Sequence, residues 1–547
     1  MNKVRFKFFG TDENPDATRQ GTRVRKILNV TLGALAFLFS FYLMFHTFSY
    51  DSQTHSILIA SKAWSDFGAH IPMIRSFSYG PNLTRLFHGQ PIESPLYPGE
   101  PIRYHFGFYA LVGLLEKLGI RIDYALNIPS AAGFFLLLLC IFQLSYFLFN
   151  NYWVSLLSVF FFLFNGSLSF MRFFQHHTIG DIVTNSRFPA FGPWDGNTIT
   201  AFWNLNIYTN QRHLALSYAI ILVILYVLLK KKNPMLIALC ASFLLFINYP
   251  AFAIVCIFLL WIFLTQKQLR IPLVMAGLLT VPALFFLSRV AHVGSDIVWQ
   301  PGYLSTGNIV QFWFDNLGLH TLLIPLGIIL APKKIRHLFL VPLLVLFIIP
   351  NLWRFSPDMI NNHKFFNFFL IIGNMFSAYA IIKIGQIRHI GRISLICLIF
   401  LLTLSGIIDF FPIINDTKGA ITDIASNPDA RYILQHTPPN AVIANSTWFY
   451  HPASIAGRDL YAGYTYFTWS YGYNQADREQ RLKDVYMAST KQDLCRLLFQ
   501  DNISYVELNP HHESYLTPNM TLWNALPPIY ENPDTHVTIY ARNTICE

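Results

Sequence analysis

The sequence predicts a polytopic α-helical membrane protein with 11 to 13 transmembrane helices and a small extracytoplasmic α/β domain at the C-terminus. Of its 547 residues, 53% are hydrophobic and only 12% are charged, whereas soluble domains have roughly 25% charged residues. Aromatic residues make up 16%, which is typical of chains whose side chains anchor helices at membrane interfaces. The basic residues lie in short segments between apolar runs, so the net charge of +10 predicts membrane orientation and no nucleic-acid partner.

The N-terminal segment, residues 1–25, is polar and basic, which places it in the cytoplasm. The first apolar run, near 27–48, is too long for a signal-peptide core and is followed by no small-residue cleavage site. We therefore expect it to be a retained helix that opens the membrane domain, residues 26–413. Further apolar runs lie near 105–119, 126–149, 152–171, 213–229, 235–249, 251–266, 271–288, 317–331, 337–352, 365–383 and 393–413.

Basic clusters orient the later runs. They follow alternate runs and belong inside: Lys230 to Lys232, Lys267 with Arg270, Lys333 and Lys334 with Arg336, and Lys383 with Arg388 and Arg392. A first outer loop (residues 49–104, "loop 1") and a second outer loop (residues 172–211, "loop 2") then require an even number of spans between them. Because three apolar runs lie there, we expect the short run 105–119 to be partial or re-entrant. This gives 11 spans, with 13 as the alternative.

The apolar runs stop after residue 413. Stretches of β type at 441–444, 503–507 and 537–540 alternate with helical patterns at 477–489 and 491–499. Residues 414–547 are thus predicted to form the outer α/β domain. Cys495 and Cys546 could form a disulfide there, and the sequence leaves this open. Neither a Walker loop nor a G-x-G-x-x-G motif is present, which argues against direct use of a nucleotide or nucleotide sugar.

Asp66 and His70 in loop 1 are the candidate catalytic residues. They are four residues apart, so both lie on one face of a helix that begins where the membrane meets water. A carboxylate there, near His70 and Arg75, could accept a proton from an acceptor hydroxyl or amine. The alternative is that Asp66 is a solvated interfacial residue paired with Arg75.

A family resemblance rests on the order of motifs in loop 1. Asp66 and His70 are followed by Ser76-Phe77, Gly80, Asn82, a Pro/Gly turn and Arg103-Tyr104-His105. This order resembles the first loop of a bacterial branch of the GT-C glycosyltransferases, polytopic enzymes that use polyprenyl-phosphate-linked sugars. The resemblance implies a bacterial inner-membrane location. It also implies that Asp66, the acidic residue at the end of the first helix, is the catalytic base.

Later motifs extend the resemblance to near the C-terminus. Asn210-Gln211-Arg212-His213 resembles a Pro-Gln-Arg step of this branch, with Asn in place of Pro. The segment from Asn351 to Lys364, through Asp358 and Asn362, resembles its Asp-Asn-x-Lys step. The domain after the last helix is matched by Gly457-Arg458, Gly463-Tyr464, Trp469, Gly472-Tyr473, Arg478, Tyr486 and residues 503–506.

Four cationic or imidazole side chains are candidates for binding the donor phosphate: Arg103, His105, Arg212 and Lys364. Each opens an apolar run at its predicted outer end, where a phosphate leaving group would need positive charge. The alternative is that they snorkel to the interface and anchor helices. Structural Lys and Arg are expected on the cytoplasmic face, so Lys364 and Arg212 are favoured as ligands.

Substrate contacts are predicted for Arg75, Asp181, Trp194, Asp195, Asp358, Tyr464 and Trp469, because aromatic and carboxylate side chains suit sugar rings and hydroxyls. The histidines 176 and 177 near Asp181 lack a metal-binding spacing. No cofactor is certain from the sequence, and a divalent cation such as Mg²⁺ or Mn²⁺ stays open.

The leading hypothesis is an inverting-type transferase, with a polyprenyl-phosphate sugar as donor and a glycan, lipid-linked or protein acceptor. Membrane lipids are its other predicted partner. A flippase or transporter of lipid-linked saccharide is a second hypothesis, disfavoured because few charges lie within the apolar runs. A third is a non-catalytic membrane assembly factor whose outer domain binds a partner through Trp469 and Tyr473.

Overall fold

The structure is a computed structural model that describes residues 15–189, 198–230, 233–292, 294, 296–387, 391–509 and 516–547. Helices α1 to α8 are Pro15–Thr47, Trp64–Ser78, Asn82–Phe87, Gly107–Lys117, Ile122–Phe149, Tyr152–Leu163, Ser169–His176 and Leu205–Asn210. Helices α9 to α17 are His213–Leu229, Pro234–Ile247, Tyr249–Thr265, Arg270–Val290, Ile309–Leu317, His320–Leu330, Lys333–Leu352, His363–Gly385 and Gly391–Ile414. These helices form a multi-pass membrane protein.

The remaining elements are short. Helices α18 to α24 are Pro428–His436, Pro452–Ile455, Thr465–Ser470, Gln475–Tyr486, Lys491–Gln500, Met520–Trp523 and Arg542–Cys546. Strands β1 to β6 are Phe48–Asp51, Ser56–Ala60, Glu93–Ser94, Tyr97–Pro101, Val298–Trp299 and Trp353–Arg354. Strands β7 to β12 are Lys418–Thr422, Val442–Ala444, Asp459–Leu460, Tyr505–Leu508, Tyr530–Glu531 and Thr538–Ala541.

Six helices among the described residues are long and apolar enough to cross a membrane: α1 from Ile27, α5, α12, α15, α16 and α17. Helices α13 and α14 meet at a short break with a bend of 82°, and only together are they long and apolar enough to cross a membrane. Four further apolar helices, α6, α9, α10 and α11, are shorter. The described helices thus include six spans, or seven if the bent pair is one span, and the predicted eleven is reached only if each of the four shorter helices also crosses.

A three-stranded sheet constrains this count. Strand β2 follows the first spanning helix and β7 follows the last, and they pair antiparallel from Ser56↔Thr422 to Ala60↔Lys418. The chain therefore leaves its first and last spans on the same side of the membrane, so the total must be odd. Helix α4, in the predicted partial run, has 11 residues and a length of about 17 Å, well short of a bilayer core of about 30 Å.

Helix α16 lies in the centre of the bundle. Of its apolar window 83% is buried, against 17% for α1 at the edge. Close packing explains part of this burial, because a Cβ placed on Gly327 of α14 would overlap the main chain of Phe376 in α16. Packing in the centre of the bundle thus holds α16 in position, and Lys364 lies in its first turn.

The C-terminal domain (residues 414–547) contains a five-stranded sheet in the order β11-β12-β10-β8-β9, with β8 parallel to both of its neighbours. The predicted strands correspond to β8, β10 and β12, and the predicted helices to α21 and α22. Cys495 and Cys546 form a disulfide with a Cα–Cα distance of 5.6 Å. The domain is not separate from the rest, since β7 belongs to the sheet of loop 1.

Candidate functional site

Asp66 lies in the first turn of α2, directly after a 3₁₀ turn at Ser61–Ala63. A carboxylate is favoured there because the free N–H groups of a helix N-terminus carry partial positive charge. Every residue of α2 from Phe67 onward is buried, while Asp66 itself remains partly exposed. The helix thus presents one acidic side chain at the end of an otherwise packed element.

Five tyrosines and one lysine surround this carboxylate. Burial raises the pKa values of the five tyrosines, and the negative charge of Asp66 raises them further. These are Tyr104, Tyr109, Tyr450, Tyr466 and Tyr471. Burial likewise raises the pKa of Asp66 to about 6, and the ammonium group of Lys364 partly offsets this. We name this group of seven residues the Asp66 site.

Lys364 enters the site from the first turn of α16. Its side chain is buried and interacts electrostatically with Asp66 and Asp358. In the described part of the chain its Nζ donates no hydrogen bond and lies more than 4.0 Å from either carboxylate. The site therefore combines the carboxylate of Asp66 with a buried cation whose Nζ donates no hydrogen bond among the described residues.

Asp358 interacts electrostatically with Lys364 and accepts two hydrogen bonds. One carboxylate oxygen accepts a hydrogen bond from the Ile360 N–H at 3.0 Å, which caps the 3₁₀ turn before α16. The other accepts the Tyr466 hydroxyl at 2.7 Å. Asp358 thus joins the start of α16 to α20 of the C-terminal domain.

A histidine cluster lies behind the tyrosines. His105 Nε2 and His213 Nε2 are 2.7 Å apart, so one of them must carry a proton and donate it. Tyr109 Oη is 3.2 Å from His213 Nδ1, and the His70 ring centroid is 5.0 Å from that of Tyr109. Burial and the charge of Arg212 lower the pKa of His70 to about 3. His70 is therefore a neutral imidazole at physiological pH.

Arg212 is fully buried among helices. Its guanidinium donates to Thr47 Oγ1 at 2.8 Å, to the Met44 carbonyl and to Asn127 Oδ1 at 3.3 Å, and it lies over the Phe67 ring. These contacts join α1, α5 and α9 beneath α2. The hydrogen bonds of Arg212 thus run to neighbouring helices, and its role as a phosphate ligand stays a prediction.

Arg103 lies at the outer rim of the site. It forms an ion pair with Glu100 at 2.6 Å, donates to the Gly472 carbonyl and stacks over the Tyr473 ring. The next residue, Tyr104, stacks on Tyr471 with ring centroids 4.6 Å apart. Arg103 is partly exposed, whereas His105 is buried in the histidine cluster.

The ion pair between Asp66 and Arg75, which the sequence left as the alternative, is not formed. Arg75 is buried and makes ion pairs with Glu116 at 3.2 Å and with Asp423 at 2.9 Å. Asp181 is exposed and caps a 3₁₀ turn through Thr178. Both side chains lie in local structural contacts and not in the Asp66 site.

The remaining predicted substrate contacts divide into two groups. Tyr464 packs on Phe449 with ring centroids 4.1 Å apart, and Trp469 is 45% exposed beside Tyr466. Trp194 and Asp195 fall outside the described residues. The tyrosines at 450, 466 and 471 were not predicted as site residues, because the aromatic density of that segment has no periodicity that would mark them.

Metal ligands were left open by the sequence. Within the described residues, no group of three or more His, Cys, Asp or Glu side chains has a geometry that could hold a metal ion. The rings recorded around the His105–His213 pair are those of tyrosines and Phe108, which supply no carboxylate or thiolate ligand. The structure thus supplies no protein ligand set for the divalent cation in this part of the chain.

No family model and no curated protein matches the chain. Among solved structures, the arabinofuranosyltransferase AftD from Mycobacteria matches at a TM-score of 0.51 and 12% identity, covering 93% of this chain and 40% of that one. ArnT from Cupriavidus metallidurans bound to undecaprenyl phosphate matches at 0.49 and 8% identity, covering 94% and 97%. The oligosaccharyltransferase AglB from Archaeoglobus fulgidus, in complex with an inhibitory peptide and a dolichol-phosphate, matches at 0.42 and 12% identity, covering 89% and 70%. Over 93% of its length the chain therefore shares the membrane fold of this arabinofuranosyltransferase.

Proposed function

We propose that this protein is a membrane glycosyltransferase that moves a sugar from a polyprenyl-phosphate-linked donor to an acceptor hydroxyl, with Asp66 as general base. The observation that supports this most directly is the Asp66 site itself. It combines a partly exposed carboxylate whose pKa is raised with a buried lysine ammonium that interacts with it electrostatically. The fold and the order of motifs in loop 1 support the same reaction class.

The chemistry requires a base that is ionised yet able to accept a proton. With a pKa of about 6, Asp66 is mostly ionised at pH 7 and is more basic than an ordinary aspartate. It would take the proton of the acceptor hydroxyl as that oxygen attacks the anomeric carbon. The bond from the anomeric carbon to the phosphate oxygen breaks, and its electron pair stays on the phosphate.

Lys364 would neutralise the departing phosphate. Its ammonium group has unused donors, and burial strengthens its interaction with an anion. Lys364 and Asp66 come from different helices, so the phosphate contact and the base are separate groups that would act in the same transfer. A base distinct from the phosphate contact suits a single displacement with inversion.

The rim residues would contact the sugars. Tyr466 and Trp469 are exposed aromatics on α20, and Arg103 lies opposite them beside Gly472. An aromatic face next to hydrogen-bonding groups suits a sugar ring. We accordingly place the acceptor at this rim and the donor phosphate at Lys364.

The test uses a strain that lacks the gene. It is complemented with wild type, Asp66→Asn or the matched control Asp51→Asn, which changes an aspartate of the same loop whose pKa is not raised. Glycolipids and surface polysaccharide are compared by mass spectrometry at equal protein levels. Wild type and Asp51→Asn should restore the glycan, while Asp66→Asn should lower transfer by about 10²- to 10⁴-fold, as expected for loss of a general base. Full restoration by Asp66→Asn would contradict the proposal.

A further inference from the structure

A fully buried hydrogen-bond network lies in the C-terminal domain, outside the Asp66 site. Ser446 Oγ is 2.7 Å from His451 Nε2, and His451 Nδ1 is 3.1 Å from Glu507 Oε1. All three side chains have no measurable exposure. The order of serine, imidazole and carboxylate is that of a hydrolase triad, but no substrate could reach Ser446 Oγ in this packing. A role for the network must therefore act through the residues that it holds in place.

The network fixes both ends of one loop to the sheet. Ser446 follows β8, and Glu507 lies in β10, the neighbouring strand. His451 precedes α19, and its carbonyl accepts the N–H groups of Ser454 and Ile455. Residues 447–450, which we name the clasp loop, are thus held between two anchored ends.

The clasp loop packs on the first turns of α2. The Phe449 ring covers Gly68 so closely that a Cβ at position 68 would overlap it. Tyr450 adopts a positive φ of 61°, a strained conformation for a bulky residue. Its ring lies 4.7 Å from that of Trp64, and its hydroxyl donates to the Trp64 carbonyl. Trp64 and Gly68 flank Asp66 in the sequence.

We infer that Ser446, His451 and Glu507 are positioning residues that hold the clasp loop against α2. The loop in turn keeps Asp66 in place and limits its contact with water. This inference rests on the role proposed for Asp66. A strained Tyr450 needs surroundings that over-determine its conformation, and the buried network supplies them. Without the network, the loop would relax and water would reach Asp66.

The test measures the protonation of the Asp66 carboxyl by chemical labelling and needs no sugar substrate. Dicyclohexylcarbodiimide adds to protonated carboxyl groups, and the adduct rearranges to a stable N-acylurea with no leaving group. In the full-length protein in detergent, the adduct on the Asp66 peptide is quantified by mass spectrometry between pH 4 and 8. Wild type should show a labelling midpoint near pH 6, where Asp66 is half protonated.

Glu507→Gln and His451→Gln should move this midpoint down by about one unit or more, toward that of an ordinary aspartate. Labelling at pH 6 would then fall about fivefold. Asp534→Asn, which changes an exposed aspartate of the same domain, should leave the midpoint unchanged. Ser446→Ala removes a single hydrogen bond and serves as the milder variant if the other two fail to fold.

Two results would overturn the inference. One is a midpoint that stays near pH 6 in folded Glu507→Gln, His451→Gln or Ser446→Ala protein. The other is a fluorophosphonate adduct on Ser446 in wild type, because it would show an accessible nucleophile instead of a positioning group. Failure of the proposed function gives a different pattern, in which Asp66→Asn still transfers sugar whatever the labelling midpoint.

Discussion

Arg75 of α2 and Asp423, just after β7, form a buried ion pair at 2.9 Å that joins loop 1 to the C-terminal domain. Glu116 of α4 shares the same guanidinium at 3.2 Å. The charges of Asp423 and Glu116 raise the pKa of Arg75 against the opposing effect of burial, and burial raises the pKa of Glu116. Arg75 therefore links its own helix α2, which also contains Asp66, to α4 and to the segment after β7.

Removing Arg75 should destabilise this junction strongly. Arg75→Met leaves two carboxylates close together with no cation, which costs about 3–5 kcal/mol for a buried pair. Arg85→Met is the matched control, since Arg85 pairs with Glu93 at a partly exposed site of the same loop and should cost about 0–1 kcal/mol. Thermal unfolding of the detergent-solubilised protein measures both. Equal losses for the two variants would contradict a structural role for Arg75.

The membrane class and the approximate span count follow from composition and charge, because lipid imposes length and polarity on each helix. Asp66 was predicted from its place after the first span, and Lys364 from the start of a late apolar run. Their electrostatic contact then depends on how α2 and α16 pack. The local sequence indicates Asp66 and Lys364 as candidate site residues, but it does not predict how far apart they lie.

The long-range contacts were not predictable in the same way. No local spacing or pattern links Arg75 to Asp423, because 347 residues lie between them. The sequence therefore favoured a substrate role for Arg75. Arg212 was favoured as a phosphate ligand because of its charge and position, yet its hydrogen bonds run to α1 and α5. Tertiary packing decides which cations face a cavity and which face neighbouring helices.

Asp66 should lower the stability of the protein at neutral pH. Its pKa is raised to about 6, so the folded state binds more protons than the unfolded state between about pH 4 and 6, and stability falls as pH rises through that window. Asp66→Asn removes this penalty and should stabilise the protein by about 1–3 kcal/mol at pH 7. The gain should disappear near pH 4. An unchanged or lower melting temperature for Asp66→Asn at pH 7 would contradict the raised pKa.

Sugar transfer should depend on the ionisation of the same group. A base with a pKa of about 6 is about 90% ionised at pH 7 and about 10% ionised at pH 5. Transfer under donor-saturating conditions should therefore fall about tenfold between these values. Incorporation of labelled sugar by isolated membranes measures it, with recovery at pH 7 as the control for unfolding. A rate that is flat from pH 5 to 7 would exclude Asp66 as the base.

Lys364 should determine donor affinity. Lys364→Gln removes a charge-assisted contact to the phosphate, which is worth about 1.5–3 kcal/mol, or about 10- to 100-fold in affinity. The matched control is Lys383→Gln, because Lys383 lies near the other end of α16, about 28 Å away along the helix axis. Binding of polyprenyl phosphate to the purified protein measures both variants. Equal affinities in the two would remove Lys364 from the proposed phosphate site.

The disulfide tests the predicted outer location of the C-terminal domain. Cys495 and Cys546 are 51 residues apart, and closing a loop of that length is worth about 4 kcal/mol in the chain-entropy account. Such bonds persist in oxidising compartments. Protein taken from membranes should therefore react with a maleimide at these two positions only after reduction. Cys495→Ser should lower the melting temperature, and Cys397→Ser, at a free cysteine in α17, should not. Free thiols at 495 and 546 without reduction would place the domain on the cytoplasmic side.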